Sequence, residues 1–109
     1  MRNIAREQIK DLFTNPKDRM ANGLWFSGYT NEGEYKEWWI TGQLYQHCFY
    51  KNGQRDGEYE EWHGNGQLYK HCFYKNGAYD GEFKQWSSDG KLHVHQLYKD
   101  DKIVKDYLK

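Results

Sequence analysis

The chain repeats itself every 24 residues, and that period limits what it can fold into more than any other feature. Gly33–Asp56 reads GEYKEWWITGQLYQHCFYKNGQRD and Gly57–Asp80 reads GEYEEWHGNGQLYKHCFYKNGAYD, with seven differences between them. Gly81–Val104 has diverged further. It keeps the Gly-Glu-aromatic opening, Trp86, Gly90, Leu92, His95, Tyr98 and Lys99. A period of this size marks a repeat array, in which no unit buries a face alone and neighbours must stack. Partial units are expected on both flanks, at 24–32, where Leu24-Trp25-Phe26 falls in a second-strand position, and at 105–109, where Asp106-Tyr107 takes the place of Glu82-Phe83.

Each unit reads as a hairpin. In the middle unit one strand covers about Glu58–Trp62 and the other about Leu68–Tyr74. Between them stands Asn65-Gly66, matched by Thr41-Gly42 and Asp89-Gly90, and such pairs supply the positive φ that tight turns demand. The second strands run into Lys-Asn-Gly at 51–53 and 75–77, a further turn that reverses the chain into the next unit. Gly42, Gly53, Gly66, Gly77 and Gly90 are the expected turn glycines. The pattern predicts a mainly β fold, a single-layer antiparallel meander of hairpins over 24–109. Residues 1–23 read differently. Ala5, Ile9, Leu12 and Phe13 lie at helical spacing before Asn15-Pro16, which predicts one short amphipathic helix and a linker capping the sheet.

Composition narrows the function. Sixteen basic and 16 acidic residues leave no net charge, which excludes the cationic surplus of a nucleic-acid binder. Aromatic residues make up 18%, including ten Tyr and five Trp, a richness that argues against disorder and for a thin fold of amphipathic rings. The two cysteines and the lack of an apolar leader or spanning stretch point to a reducing, cytoplasmic setting. No phosphate-binding glycine loop, nucleophile elbow or paired-histidine metal helix occurs, and acids that recur in every unit do not make one asymmetric cleft. No enzyme, cofactor or metal is expected.

The series Asp-Gly-Glu-Tyr-x-Glu-Trp, x-x-Asn-Gly-Gln-Leu and Phe-Tyr-Lys-Asn-Gly resembles the variant MORN repeats over about residues 24–107. Similar repeats occur in antitoxin-like bacterial proteins and in large DNA viruses. The standard MORN consensus places Gly two residues after the first Tyr and Trp two further on. Here Glu37, Glu61 and Gln85 replace that Gly, and Trp38, Trp62 and Trp86 follow directly. The resemblance implies a non-enzymatic ribbon of hairpins used for scaffolding, dimerisation or tethering near membranes.

The repeated side chains divide into rows. Trp38, Trp62 and Trp86, with Tyr35, Tyr59 and Phe83 and with Leu44, Leu68 and Leu92, are the expected structural core. Candidates for an exposed interaction surface are Tyr45, Tyr69, His47, His71, His93 and His95, together with Tyr50, Tyr74 and Tyr98. His93 is expected on the face of His95 by two-residue alternation. Each His of a His-Cys pair points away from its own Cys, so Cys48 and Cys72 read as small buried filler. Glu34, Glu58, Glu82 and Lys51, Lys75, Lys99 suggest cross-strand ion pairs. The expected partner is a protein bound through a sheet face, with a homodimer as one form of it. Rival readings are an anionic membrane surface met by Lys51, Lys75 and Lys99, or neutralisation of a protein effector.

Overall fold

Alternation of apolar and polar residues between glycine-rich turns produces strand after strand, and the chain uses little else. The computed structural model describes residues 19–21 and 24–109. They form strands β1 (Arg19–Ala21), β2 (Leu24–Ser27), β3 (Glu32–Trp39), β4 (Leu44–Lys51), β5 (Gln54–Arg55), β6 (Gly57–Trp62), β7 (Leu68–Lys75), β8 (Ala78–Tyr79), β9 (Gly81–Trp86), β10 (Leu92–Lys99) and β11 (Lys102–Asp106). All join one open antiparallel sheet in the order β1-β2-β3-β4-β6-β7-β9-β10-β11, with β5 paired to β4 and β8 to β7. The predicted helix over 3–13 lies outside the described residues. Residues 19–21, assigned to the linker, instead form β1 and extend the sheet by one strand beyond β2.

Two turn types alternate. The loops after β3, β6 and β9 hold three residues: Gly66 donates to His63 O at 3.0 Å while His63 N donates to Gln67 O at 2.8 Å, and the loops ending in Gly42 and Gly90 repeat this. Only the last residue of each loop, Gly42, Gly66 or Gly90, takes positive φ, between 88° and 96°. Asn65 and Asp89 act through their side chains, accepting from the amides of Gln67 and Lys91 at 2.9 and 3.1 Å. The turns after β4 and β7 hold two residues, and both have positive φ: Asn52 and Gly53, Asn76 and Gly77. That is the mirror-image turn whose twist matches a hairpin.

A one-residue bulge recurs in every unit. Glu37 faces Gln46 but Trp38 faces Leu44, leaving Tyr45 extra on β4; Tyr69 and His93 are the extra residues on β7 and β10. A second irregularity bends the other strand. Tyr50 pairs with Arg55, yet His47 pairs with Glu60, so the register slips by two across Asp56-Gly57. The same slip occurs at Asp80-Gly81. A straight strand would set Tyr79 and Phe83 about 13 Å apart. Their rings lie 5.1 Å apart, so the strand folds sharply at Gly81, whose φ is +119°.

The fold over each bend encloses the core. Tyr35, Cys48, Tyr59, Cys72 and Phe83 are buried, and Phe26, Tyr50, Tyr74, Tyr79, Val94 and Tyr98 pack against them. All these lie on one side of the sheet, which we term the inner face. The extensive contacts between strands are all between sheet neighbours, so among the described residues no second layer covers the outer face.

Candidate functional site

Strand parity decides which repeated side chains meet. On β6, Tyr59 and Trp62 are three residues apart with no bulge on their own strand, so they point to opposite faces. Trp38, Trp62 and Trp86 therefore leave the core and stand on the outer face. The Tyr45, Tyr69 and His93 bulges carry Leu44, Leu68 and Leu92 with them as cross-strand partners. These tryptophans, expected in the core, are half-buried, and Leu92 is 39% exposed. Tyr35, Tyr59 and Phe83 are buried on the inner face.

Tyr50, Tyr74 and Tyr98, read as surface, line the core instead. Their rings meet Tyr35, Tyr59 and Phe83 at 5.6, 5.6 and 5.4 Å, because two-residue alternation sets them on the side of Cys48, Cys72 and Gln96, the cross-strand partners of those rings. Tyr45 and Tyr69 lie at the other end of the inner face, against Trp39 at 4.7 Å and His63 at 4.9 Å. His93 is exposed and, as the extra residue of its bulge, falls outside the alternation that places His95.

Two cations that the sequence reading passed over hold the inner face. The Arg55 guanidinium sits 5.0 Å from the Tyr59 ring, 5.7 Å from Tyr74 and 5.9 Å from Tyr50. The Lys70 ammonium lies 5.1–5.2 Å from the rings of Tyr59, Tyr79 and Phe83 and donates to Tyr79 Oη at 3.0 Å. Cation–ring contacts at these distances contribute about 0.5–2 kcal/mol each, more when desolvated. The signal was indirect: Asn31, Arg55 and Tyr79 share one repeat position and Gln46, Lys70 and Val94 another, so each looks merely variable. Burial pushes the Tyr59 hydroxyl well above its usual range, and the bond to Glu61 adds to this. Burial likewise pushes the Cys72 thiol up to about 11 and raises that of Cys48. Both thiols are free and protonated, filling space beside Tyr35 and Tyr59.

On the outer face the repeats build one continuous row. Lys36 faces His47, His47 faces Glu60, Glu60 faces His71, His71 faces Lys84 and Lys84 faces His95. The Tyr107 ring, one residue past the end of β11, stacks on His95 at 4.2 Å and closes the row beside the seventh strand. Each imidazole is anchored by a carboxylate of its own unit. His47 Nε2 lies 2.8 Å from Glu34, His71 Nε2 2.8 Å from Glu58 and His95 Nε2 2.9 Å from Glu82. The repeated glutamates thus pair with histidines of the neighbouring strand rather than with the turn lysines. Phe49 and Phe73 flank the row, their rings 5.3 Å from His47 and His71. The row is part-exposed: side chains of Lys36, Glu60 and Lys84 keep 28–37% of their accessible surface, and those of Glu58 and Glu82 about half.

Residues 31–52, 55–76 and 79–100 match the model of the MORN repeat variant family, three consecutive units in phase with the structural period. The chain belongs to that family. The matched units of this MORN repeat protein begin at one repeat position, Asn31, Arg55 and Tyr79, and the bends fold the last two over the inner face. No match was found among curated proteins or among solved structures. MORN repeats are a non-catalytic repeat family, generally associated with protein or membrane-lipid interaction. Among the described residues no group of three His, Cys, Asp or Glu side chains is placed to hold a metal ion.

Proposed function

We propose that the protein is a non-enzymatic scaffold that docks a protein partner through the outer face of its sheet. The observation that carries this reading is the row Lys36–His47–Glu60–His71–Lys84–His95 with its flanking aromatics. The inner face is consumed by the chain's own rings and cations. The outer row holds its side chains in fixed positions by carboxylate bonds and still leaves them accessible, which suits a preorganised contact surface. Its alternation of charge, imidazole and flanking ring offers hydrogen bonds and apolar area together, without the single sign of charge that nucleic acid requires.

The test is capture by the immobilised full chain from lysate. Glu58→Lys with Glu82→Lys should abolish retention of a stoichiometric partner. Lys51→Glu with Lys75→Glu, on the two-residue turns, should leave it intact. The opposite pattern, with flotation on anionic vesicles lost in the turn variant, would replace this reading with a membrane tether.

A further inference from the structure

We infer that the outer face pairs with a second copy of itself, so that two sheets pack face to face about a two-fold axis lying along β7. This rests on the proposed use of the outer face and names its partner. A sheet with apolar side chains on both faces needs something against each. The inner face of this one is served by the strand bends, whereas the outer face carries Trp62, Trp86, Phe73, Leu68 and Leu97 with no second layer among the described residues.

The order of charges across the strands argues for a second copy. The row crosses seven strands, β3, β4, β6, β7, β9, β10 and β11, and β7 is its centre. Reversing the row about His71 sets Glu60 against Lys84 of the other copy and Lys84 against its Glu60. It also sets His71 on His71, His47 on His95, and Lys36 over the Tyr107 ring. Both charged crossings that flank the axis are therefore attractive, and the outermost one is a cation over a ring. In the flanking row Phe73 meets Phe73 and Phe49 meets Leu97; Glu58 meets Glu82 in two symmetric crossings, which are repulsive, although His71 and His95 already hold those carboxylates. Six strand spacings make the row about 29 Å long. With a flanking row on each side the footprint lies at the small end of specific interfaces, which places dimerisation at roughly micromolar concentrations.

Sedimentation equilibrium of the full chain tests the arrangement. The wild type should be a dimer. Glu60→Lys and Lys84→Glu should each weaken it by at least about tenfold, and by the same factor, because each disrupts both crossings. The double variant restores opposite charges and should dimerise to within about threefold of wild type. Circular dichroism checks that each variant keeps its sheet, and if one does not fold, its symmetric counterpart carries the test. A wild-type monomer throughout, single variants that dimerise unchanged, or a double variant no better than the singles would each overturn the inference. A monomer that still loses its captured partner on outer-face charge reversal defeats only this pairing; outer-face variants that change neither assembly nor capture defeat the docking reading as well.

Discussion

The strand leaving each second turn is folded sharply at two places in the sheet and carries only a one-residue bulge at a third. At Asp56-Gly57 and Asp80-Gly81 the pairing slips by two residues, and both glycines have φ above +100°. At Val104-Lys105 the slip is a single residue, between Leu97 and Tyr98 on the facing strand, and Lys105 keeps negative φ. Where the strand folds, Arg55 and Tyr79 close over Tyr59 and Phe83; where it does not, Ile103 in the same repeat position is 52% exposed. One backbone position, more than the apolar pattern around it, governs whether a single sheet can bury its own aromatic face.

The largest expected effect lies at the bend. Gly81→Val forces a branched residue into a conformation that L side chains rarely adopt, and even a Cβ would come within 3.3 Å of the Phe73 side chain. A loss of about 3 kcal/mol is expected from urea unfolding monitored by tryptophan fluorescence. Lys105→Gly, at the equivalent position of β11, which does not fold over, should cost only the ordinary entropy of a strand glycine, about 0.5–1 kcal/mol. Equal effects at the two sites would mean that the bend does not depend on its glycine.

Next in size is the residue that the bend delivers. Arg55→Ala removes a guanidinium and its apolar stem from between three tyrosine rings, and should cost about 1–2 kcal/mol. Ile103→Ala removes a half-exposed side chain and should cost less than about 0.5 kcal/mol. Arg55→Met separates stem from charge: recovery of most of the loss would assign the effect to packing, and no recovery to the cation–ring contacts.

This contrast also marks how far the sequence could be read. The period, the hairpins and the five turn glycines follow from spacing alone, because Gly42, Gly53, Gly66, Gly77 and Gly90 all sit where chain reversal demands positive φ. The faces did not follow. Alternation assigns sides only within an unbroken strand, and a bulge at Tyr45, Tyr69 and His93 together with a bend at Gly57 and Gly81 resets the count twice per unit. Gly57 and Gly81 were visible as the start of each unit, yet nothing in a Gly-Glu-aromatic triplet separates a bend from a strand beginning. The tryptophans and Tyr50, Tyr74 and Tyr98 are a different case. Tyr59 and Trp62 stand three apart on unbroken β6, and Cys48 and Tyr50 two apart on β4, so alternation holds there. These rings were misplaced because a recurring aromatic does not by itself tell core from contact surface. The histidine row was legible as a 24-residue recurrence, whereas Glu60 and Lys84 between the imidazoles depend on cross-strand register.

The second turns sharpen the comparison further. Asn76-Gly77 closes the middle unit, and Asp100-Asp101 closes the third with φ of 49° and 67° on non-glycine residues. Asp101 offsets part of that strain, since its carboxylate accepts from the Tyr79 amide at 2.7 Å. Gly77→Asp should therefore destabilise by about 1 kcal/mol, while Asp101→Gly gains backbone freedom and loses that bond, for a net change within about 0.5 kcal/mol. Thermal melts of the two variants side by side would show whether the third unit carries a strained turn or a compensated one.

The smallest effect concerns acid. Three carboxylates in and beside the third unit are held below their usual range: Glu82 first by the hydrogen bond from His95, Asp89 by Ser87 and the Lys91 amide, Asp106 by Gln96 and the Leu108 amide. A carboxylate whose folded pKa is depressed binds its proton more readily in the unfolded chain. Its stabilisation is then complete above about pH 4.5 and lost as the pH falls through the lowered values. Glu82 and Asp89 are exposed and Asp106 lies at the sheet surface, where water screens all three, so each contributes little. Melting temperature should accordingly be level from pH 7 to 5 with respect to these groups and decline gently below pH 4. Glu82→Gln with Asp106→Asn should flatten that decline, because amides keep the hydrogen-bonding shape and do not titrate. If the variant declines as steeply as the wild type, acid acts at other groups. Glu37 is not among them: burial raises its pKa while the Tyr35 hydroxyl and Arg55 oppose the shift, so acid favours its folded state and works against the decline.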